Sequence, residues 1–206
     1  MSRFHRKTAP GVRNGRVRHK NNWKRTPNCY NTPQRVPAID RRRPGEGYRH
    51  LLQKRDIERF VNLIPDWDDL CSGLDVIVLD VGRDDSDGWY RWWDGRAAIG
   101  IHAWPLNRTW ELDEFWYDDH RGLLTRIGTR VETNDAGGRV WHWTPDTARA
   151  YQLCHVFLHE LGHHHDRMTT RSKLDCSRGE RYAEGHAWVY EGLIWERYLA
   201  EFGLPD

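Results

Sequence analysis

The stretch Phe157-Leu-His-Glu-Leu-Gly-His-His-His-Asp166 sets four histidines and two acids within ten positions. Its reading decides the rest. Upstream, Thr144 suits a helix N-cap, Pro145 the first helical position and Asp146 the positive end of the helix dipole. No proline follows before Asp166, so the spacing predicts a long helix over 144–166. Leu153, Phe157 and Leu161 form an apolar stripe along it, with Leu158 beside them, so the helix is expected to be central and packed.

Within that helix, His159-Glu160-Leu161-Gly162-His163 is an HExxH pattern. Residues four apart share a helix face, so both imidazoles can aim at one cation. Glu160 lies about 100° round from His159 and can reach water at the metal without binding the metal itself. Neutral imidazole suits Zn²⁺, and an acid beside water on zinc is an arrangement for generating hydroxide near neutral pH. His155 also stands four residues before His159, but no acid follows it directly, which favours the 159/163 pair. His164, His165 and Asp166 are expected at the helix end, where protonated histidine is favoured.

A catalytic zinc commonly takes three protein ligands and leaves a place for water. Downstream, Arg178-Gly-Glu-Arg-Tyr-Ala-Glu-Gly-His186 opens a second expected helix, running from about Glu180 to Glu201. Glu180 and Glu184 share a face of it, and His186 follows. HExxH followed by a helix bearing ExxAE resembles the gluzincin metallopeptidases, and the ERYAE form is similar to anthrax lethal factor-type peptidase domains. The resemblance spans roughly residues 97–200. It implies Glu180 as third zinc ligand and Glu184 as a carboxylate supporting His159 or His163. Two departures stand out: only sixteen residues separate His163 from Glu180, and no motif fixes the tyrosine or histidine that such families use on the oxyanion. Glu184 and His186 are the competing third ligands, the latter as in SprT-like peptidases, which resemble HExxH followed by a distant histidine. Tyr182 and Tyr190 are candidates on the oxyanion.

The function expected from these residues is zinc-dependent hydrolysis of peptide bonds in a peptide or protein substrate, with Glu160 as general base. The expected fold is α+β and zincin-like. It has a small mixed or antiparallel sheet packed on the central HExxH helix and a C-terminal ligand-bearing helix. Leu74–Gly82 reads as a strand and Trp89–Trp104 as a hairpin turning at Asp94-Gly95. The span 110–132 is ambiguous. The strand Ala97–Trp104 is the expected edge for an extended peptide, with His102 and Trp104 flanking the cleft.

Composition bounds the alternatives. The 206 residues suit one domain with a tail, and no apolar run approaches the ~20 residues of a membrane helix. No apolar leader stands at the N-terminus, so a cytoplasmic location is expected. Cys29, Cys71, Cys154 and Cys176 are scattered, which favours reduced thiols over a disulfide framework or a cysteine zinc site. Residues 1–50 hold fourteen Lys/Arg against Asp40 and Glu46, about +12; the remainder holds eighteen against twenty-eight acids, about −10. Residues 1–48, with five prolines and few aliphatics, therefore read as a mostly disordered basic arm before a domain at 49–206. Such an arm suits nucleic acid or an anionic surface, or folds back on its own acidic domain. A DNA-associated protease and a non-catalytic zinc-stabilised module are the alternatives. For the latter, Trp89–Trp93 and Glu114–Tyr117 are the aromatic candidates for a binding platform.

Overall fold

The computed structural model describes residues 27–205 apart from 108, 113, 136–137 and 172–176, together with two short strands before them. Those strands, β1 (Val12–Arg13) and β2 (Arg16–Val17), pair antiparallel. Then come β3 (Ala38–Arg41), β4 (Tyr48–Arg49), α1 (Lys54–Val61), α2 (Trp67–Leu70) and β5 (Val76–Asp80). They are followed by β6 (Gly88–Trp93), β7 (Arg96–His102), β8 (Trp104–Pro105), β9 (Thr109–Leu112), α3 (Glu114–Arg126), β10 (Arg130–Thr133) and β11 (Arg139–His142). The chain closes with α4 (Pro145–Tyr151), a π-helical stretch Gln152–Phe157, α5 (Leu158–Thr169) and α6 (Glu180–Phe202). The class is mixed α+β with small sheets.

The main sheet has the order β3-β5-β7-β6. β3, β5 and β7 run parallel, and β6 returns antiparallel on the outer side of β7. Every residue of β5 is buried, as its uninterrupted Val-Ile-Val-Leu run requires of a strand covered on both faces. The β6–β7 hairpin turns at Asp94 (φ 46°) and Gly95 (φ 76°), two successive left-handed residues that match strand twist. β7 is therefore an interior strand, not the edge; the edge on that side is β6. The ambiguous span 110–132 divides into β9, α3 and β10, with β10-β11-β9 forming a second, antiparallel sheet.

The long helix begins as expected. Thr144 Oγ1 accepts the Thr147 amide at 3.1 Å, and Pro145 follows at the first helical position. Leu153, Phe157, Leu158 and Leu161 are each fully buried, which at about 1.5–3 kcal/mol per side chain makes this stripe a main contributor to the core. Phe157 packs edge-on against Phe60 of α1 with ring centroids 5.6 Å apart. α5 also packs against β6, β7 and α6.

The basic segment enters the fold earlier than its composition predicts. Ala38–Arg41 is a strand of the main sheet, laid parallel beside β5. The Asp75 carboxylate accepts the Gln34 amide at 2.7 Å, and Asp80 pairs with Arg42 at 3.1 Å. A parallel ladder and two anchoring acids supply the interactions that an average over proline and glycine content misses. The more basic residues 1–26 lie, apart from β1 and β2, outside the described residues, as does Cys176. Cys29, Cys71 and Cys154 are free thiols. No described helix is long and apolar enough to cross a membrane.

Candidate metal centre

α5 and α6 cross at very close range. A Cβ placed on Gly162 would stand 2.8 Å from the Cα of Ala183 and 3.0 Å from its carbonyl oxygen. Only glycine, at the fourth position of the HExxH pattern, lets the backbones approach so far. The segment leading into α6 is held from the other helix: buried Asp166 accepts the Arg178 amide at 2.7 Å and faces the Arg178 guanidinium at 3.6 Å. Together these contacts set the first turn of α6 opposite the middle of α5.

Glu180, the first residue of α6, thereby meets both histidines. Its Oε2 is 3.0 Å from Nε2 of His159 and 3.4 Å from Nε2 of His163. The three donor atoms lie within 4.8 Å of one another. Those separations fit the ~3.4 Å edge of a tetrahedron with the ~2.1 Å bonds of zinc to nitrogen and oxygen. His163 Nδ1 is buried without a hydrogen-bond partner among the described residues, and its Nε2 faces Glu180. Both rings and the carboxylate suit a borderline cation such as Zn²⁺.

On the other side of the His159 ring, Nδ1 is 3.0 Å from Oε2 of Glu184. Burial acts to lower the His159 pKa, but the Glu184 contact and the charges of Glu160, Glu184 and Glu180 outweigh it and raise it. Burial likewise opposes ionisation of Glu184, yet its contact with His159 and the nearby His155 and His120 hold its carboxyl below the usual range. His163 is pushed down, chiefly by burial. Burial also pushes the Glu160 carboxyl up to about 8.

Glu160 shares with His159, His163, Glu180 and Glu184 the wall of a cleft of about 480 Å³. The start of edge strand β6 adjoins Glu160 in this wall: a Cβ on Gly88 would meet Glu160 Oε1 at 2.9 Å, and Trp89 and Tyr90 also line the cleft. Tyr151 also lines it, its hydroxyl donating to Asp87 at 2.8 Å.

Other expected participants stand elsewhere. His186 Nδ1 is 3.2 Å from the Leu158 carbonyl and its ring stacks on Tyr190, outside both groups of convergent ligand atoms. His164 is fully buried between the Ser72 carbonyl, 3.0 Å away, and the Tyr90 hydroxyl. His165 stacks on Tyr182, whose hydroxyl lies 2.6 Å from Nδ1. His102 and Trp104 line a different cleft from the one holding His159. Trp104, Trp141 and Trp143 are buried in the core, with Trp67, Trp92, Trp110, Trp116 and Trp195 partly buried against it, and Trp104 stacks on Trp110 at 4.4 Å. Trp89, from the proposed aromatic platform, donates its indole N–H to Asp80 at 3.0 Å.

The sequence reading missed His120, Tyr151 and Asp87, all of which line the cleft. Asp87 falls between the expected strand and hairpin and His120 in the ambiguous span, and neither carries a local spacing signal. No family model, curated protein or solved structure matches the chain.

Proposed function

We propose that this chain is a zinc-dependent metallopeptidase of zincin-like architecture, with His159, His163 and Glu180 as its ligands. The observation that carries this reading is the convergence of two Nε2 atoms and one carboxylate oxygen beside Glu160, in a cleft walled by an edge strand. The gluzincin arrangement expected from HExxH and ExxAE is consistent with that geometry. A zinc ion held there supplies Lewis acidity toward a carbonyl oxygen and lowers the pKa of nearby water.

The protein's own groups do the rest. Glu160 takes one proton from the attacking water as its oxygen bonds to the carbonyl carbon. It then delivers that proton to the amide nitrogen as the C–N bond breaks, leaving a carboxylic acid and an amine. Burial supports the base role in direction, because desolvation raises the affinity of the Glu160 carboxylate for a proton above that of an exposed carboxylate. Glu184 fixes the His159 ring so that Nε2 faces Glu180. The outer side of β6 has no strand partner among the described residues, so an extended peptide can add there by main-chain pairing beside Trp89 and Tyr90.

The test is cleavage of a mixed peptide pool by the zinc-loaded chain and by Glu160→Gln, followed by mass spectrometry. Glu160→Gln is expected to retain zinc and lose roughly 10²–10⁴-fold in rate. Full activity in that variant contradicts the assignment.

A further inference from the structure

The same cleft holds a second convergence of ligand atoms, built from residues the peptidase reading does not use as ligands. His120 on α3 and His155 in the π-helical stretch face each other with Nε2 atoms 2.9 Å apart. Glu184, one turn into α6, offers Oε1 at 3.6 Å from His120 Nε2 and Oε2 at 3.8 Å from His155 Nε2. Taking one donor atom from each residue, the three lie within 4.8 Å of one another, close enough to converge on one zinc-class ion.

Three further features prepare this group for a cation. His120 Nδ1 lies 2.7 Å from the Trp116 carbonyl, so its N–H donates there and the Nε2 lone pair is left pointing at His155. Both rings are held by stacking: His120 on Trp116 at 4.1 Å and 12°, and His155 on Tyr151 at 5.4 Å and 23°. Glu184 Oε1 is buried and has no hydrogen-bond donor among the described residues. With no ion, a single N–H can sit between the two imidazoles and the carboxylate oxygen stays unsatisfied; a cation among the three answers both. His155 Nδ1 lacks a protein partner in either case and does not discriminate.

We propose that His120, His155 and Glu184 bind a second divalent transition-metal ion of the zinc class, coupled to the first site through Glu184 and His159. The π-helical turn contributes by widening the helix at His155, which turns toward α3 while His159 and His163 turn toward Glu180. All three ligands line the cleft, so the remaining coordination positions are open to water or substrate. The two sites share no ligand, because at the first site Glu184 touches only the outer nitrogen of His159. The second site therefore stands whether or not the first is catalytic.

The experiment is equilibrium loading of the chelator-stripped full chain with Zn²⁺, read as bound zinc per chain by elemental mass spectrometry after desalting. It is run on the wild type and on His120→Gln, His155→Gln and His163→Ala, with circular dichroism confirming the fold of each. Two ions per wild-type chain are expected, falling to one in each variant and to none in His120→Gln/His163→Ala. One ion per wild-type chain overturns the second site when that ion is lost in His163→Ala and kept in His120→Gln. Two ions that persist in both glutamine variants overturn it as well. One ion lost with His120 or His155 but kept in His163→Ala supports this site and defeats the first. His120→Gln and His155→Gln report on the same site, so where one of them fails to fold the other decides.

Discussion

Glu184 holds the His159 ring by its Nδ1 atom at 3.0 Å, while Nε2 of the same ring stands 3.0 Å from Glu180. One imidazole is thus gripped between two carboxylates a helical turn apart on α6. The outer contact fixes which nitrogen carries the proton and which presents its lone pair to the site. Glu184→Gln is expected to weaken zinc binding at the His159/His163/Glu180 site about 10–100-fold without unfolding the chain, measured by competition with a chelating dye in His120→Gln, which lacks the second site. An unchanged affinity would show that the ring needs no such support.

The choice of third ligand separates Glu180 from His186. Glu180 stands beside both histidine Nε2 atoms, whereas His186 is directed at the Leu158 carbonyl. Glu180→Ala is expected to abolish tight zinc binding at the first site, and His186→Ala to leave it within a few-fold of wild type. The reverse pattern in a zinc titration refutes the ligand set.

Gly162 sits where α5 and α6 nearly touch. In Gly162→Ala the new methyl would press on the backbone of Ala183, which cannot move aside as a flexible side chain would. A destabilisation of roughly 1–3 kcal/mol is expected from such overpacking. Zinc affinity should fall as well, since displacing α6 displaces Glu180. Thermal unfolding and a zinc titration on the same sample check both effects. A variant as stable as wild type would mean the helices have room to spare.

Acid should destabilise the metal-free chain through its buried histidines. Burial pushes His164 down to about 4, His186 to about 4 and His155 to about 3, all below the ordinary value. Because the folded pKa is depressed, the unfolded chain takes up the proton first. The stability that rests on neutral rings is complete above pH ~6.5 and is lost as pH falls toward ~4. For fully buried His164 this loss is on the order of 3 kcal/mol. Urea denaturation between pH 7.5 and 4.5 in the presence of a chelator measures it. His164→Gln should flatten the slope; an identical slope assigns the acid sensitivity elsewhere.

Much of this architecture was legible because it is written locally. The Thr144-Pro145 cap, the Asp94-Gly95 turn and the apolar stripe of Leu153, Phe157 and Leu161 each depend on neighbours within a few residues. So does the pairing of His159 with His163. What escaped depends on distant partners. Whether β6 or β7 forms the edge follows from strand order, which alternating residues do not encode. Ala38–Arg41 joins the sheet beside a strand some forty positions later, steadied by Asp75 and Asp80. His120 gains its meaning only when α3 packs opposite His155, thirty-five residues on. His186 matched a motif by spacing, but the crossing at Gly162 and Ala183 turns it away from Glu180.

The most direct measurement is anomalous diffraction at the zinc absorption edge from crystals of the zinc-loaded protein. A peak bounded by Nε2 of His159, Nε2 of His163 and a carboxylate oxygen of Glu180 is the expected result. A zinc peak seated elsewhere, with those three side chains bare, contradicts it.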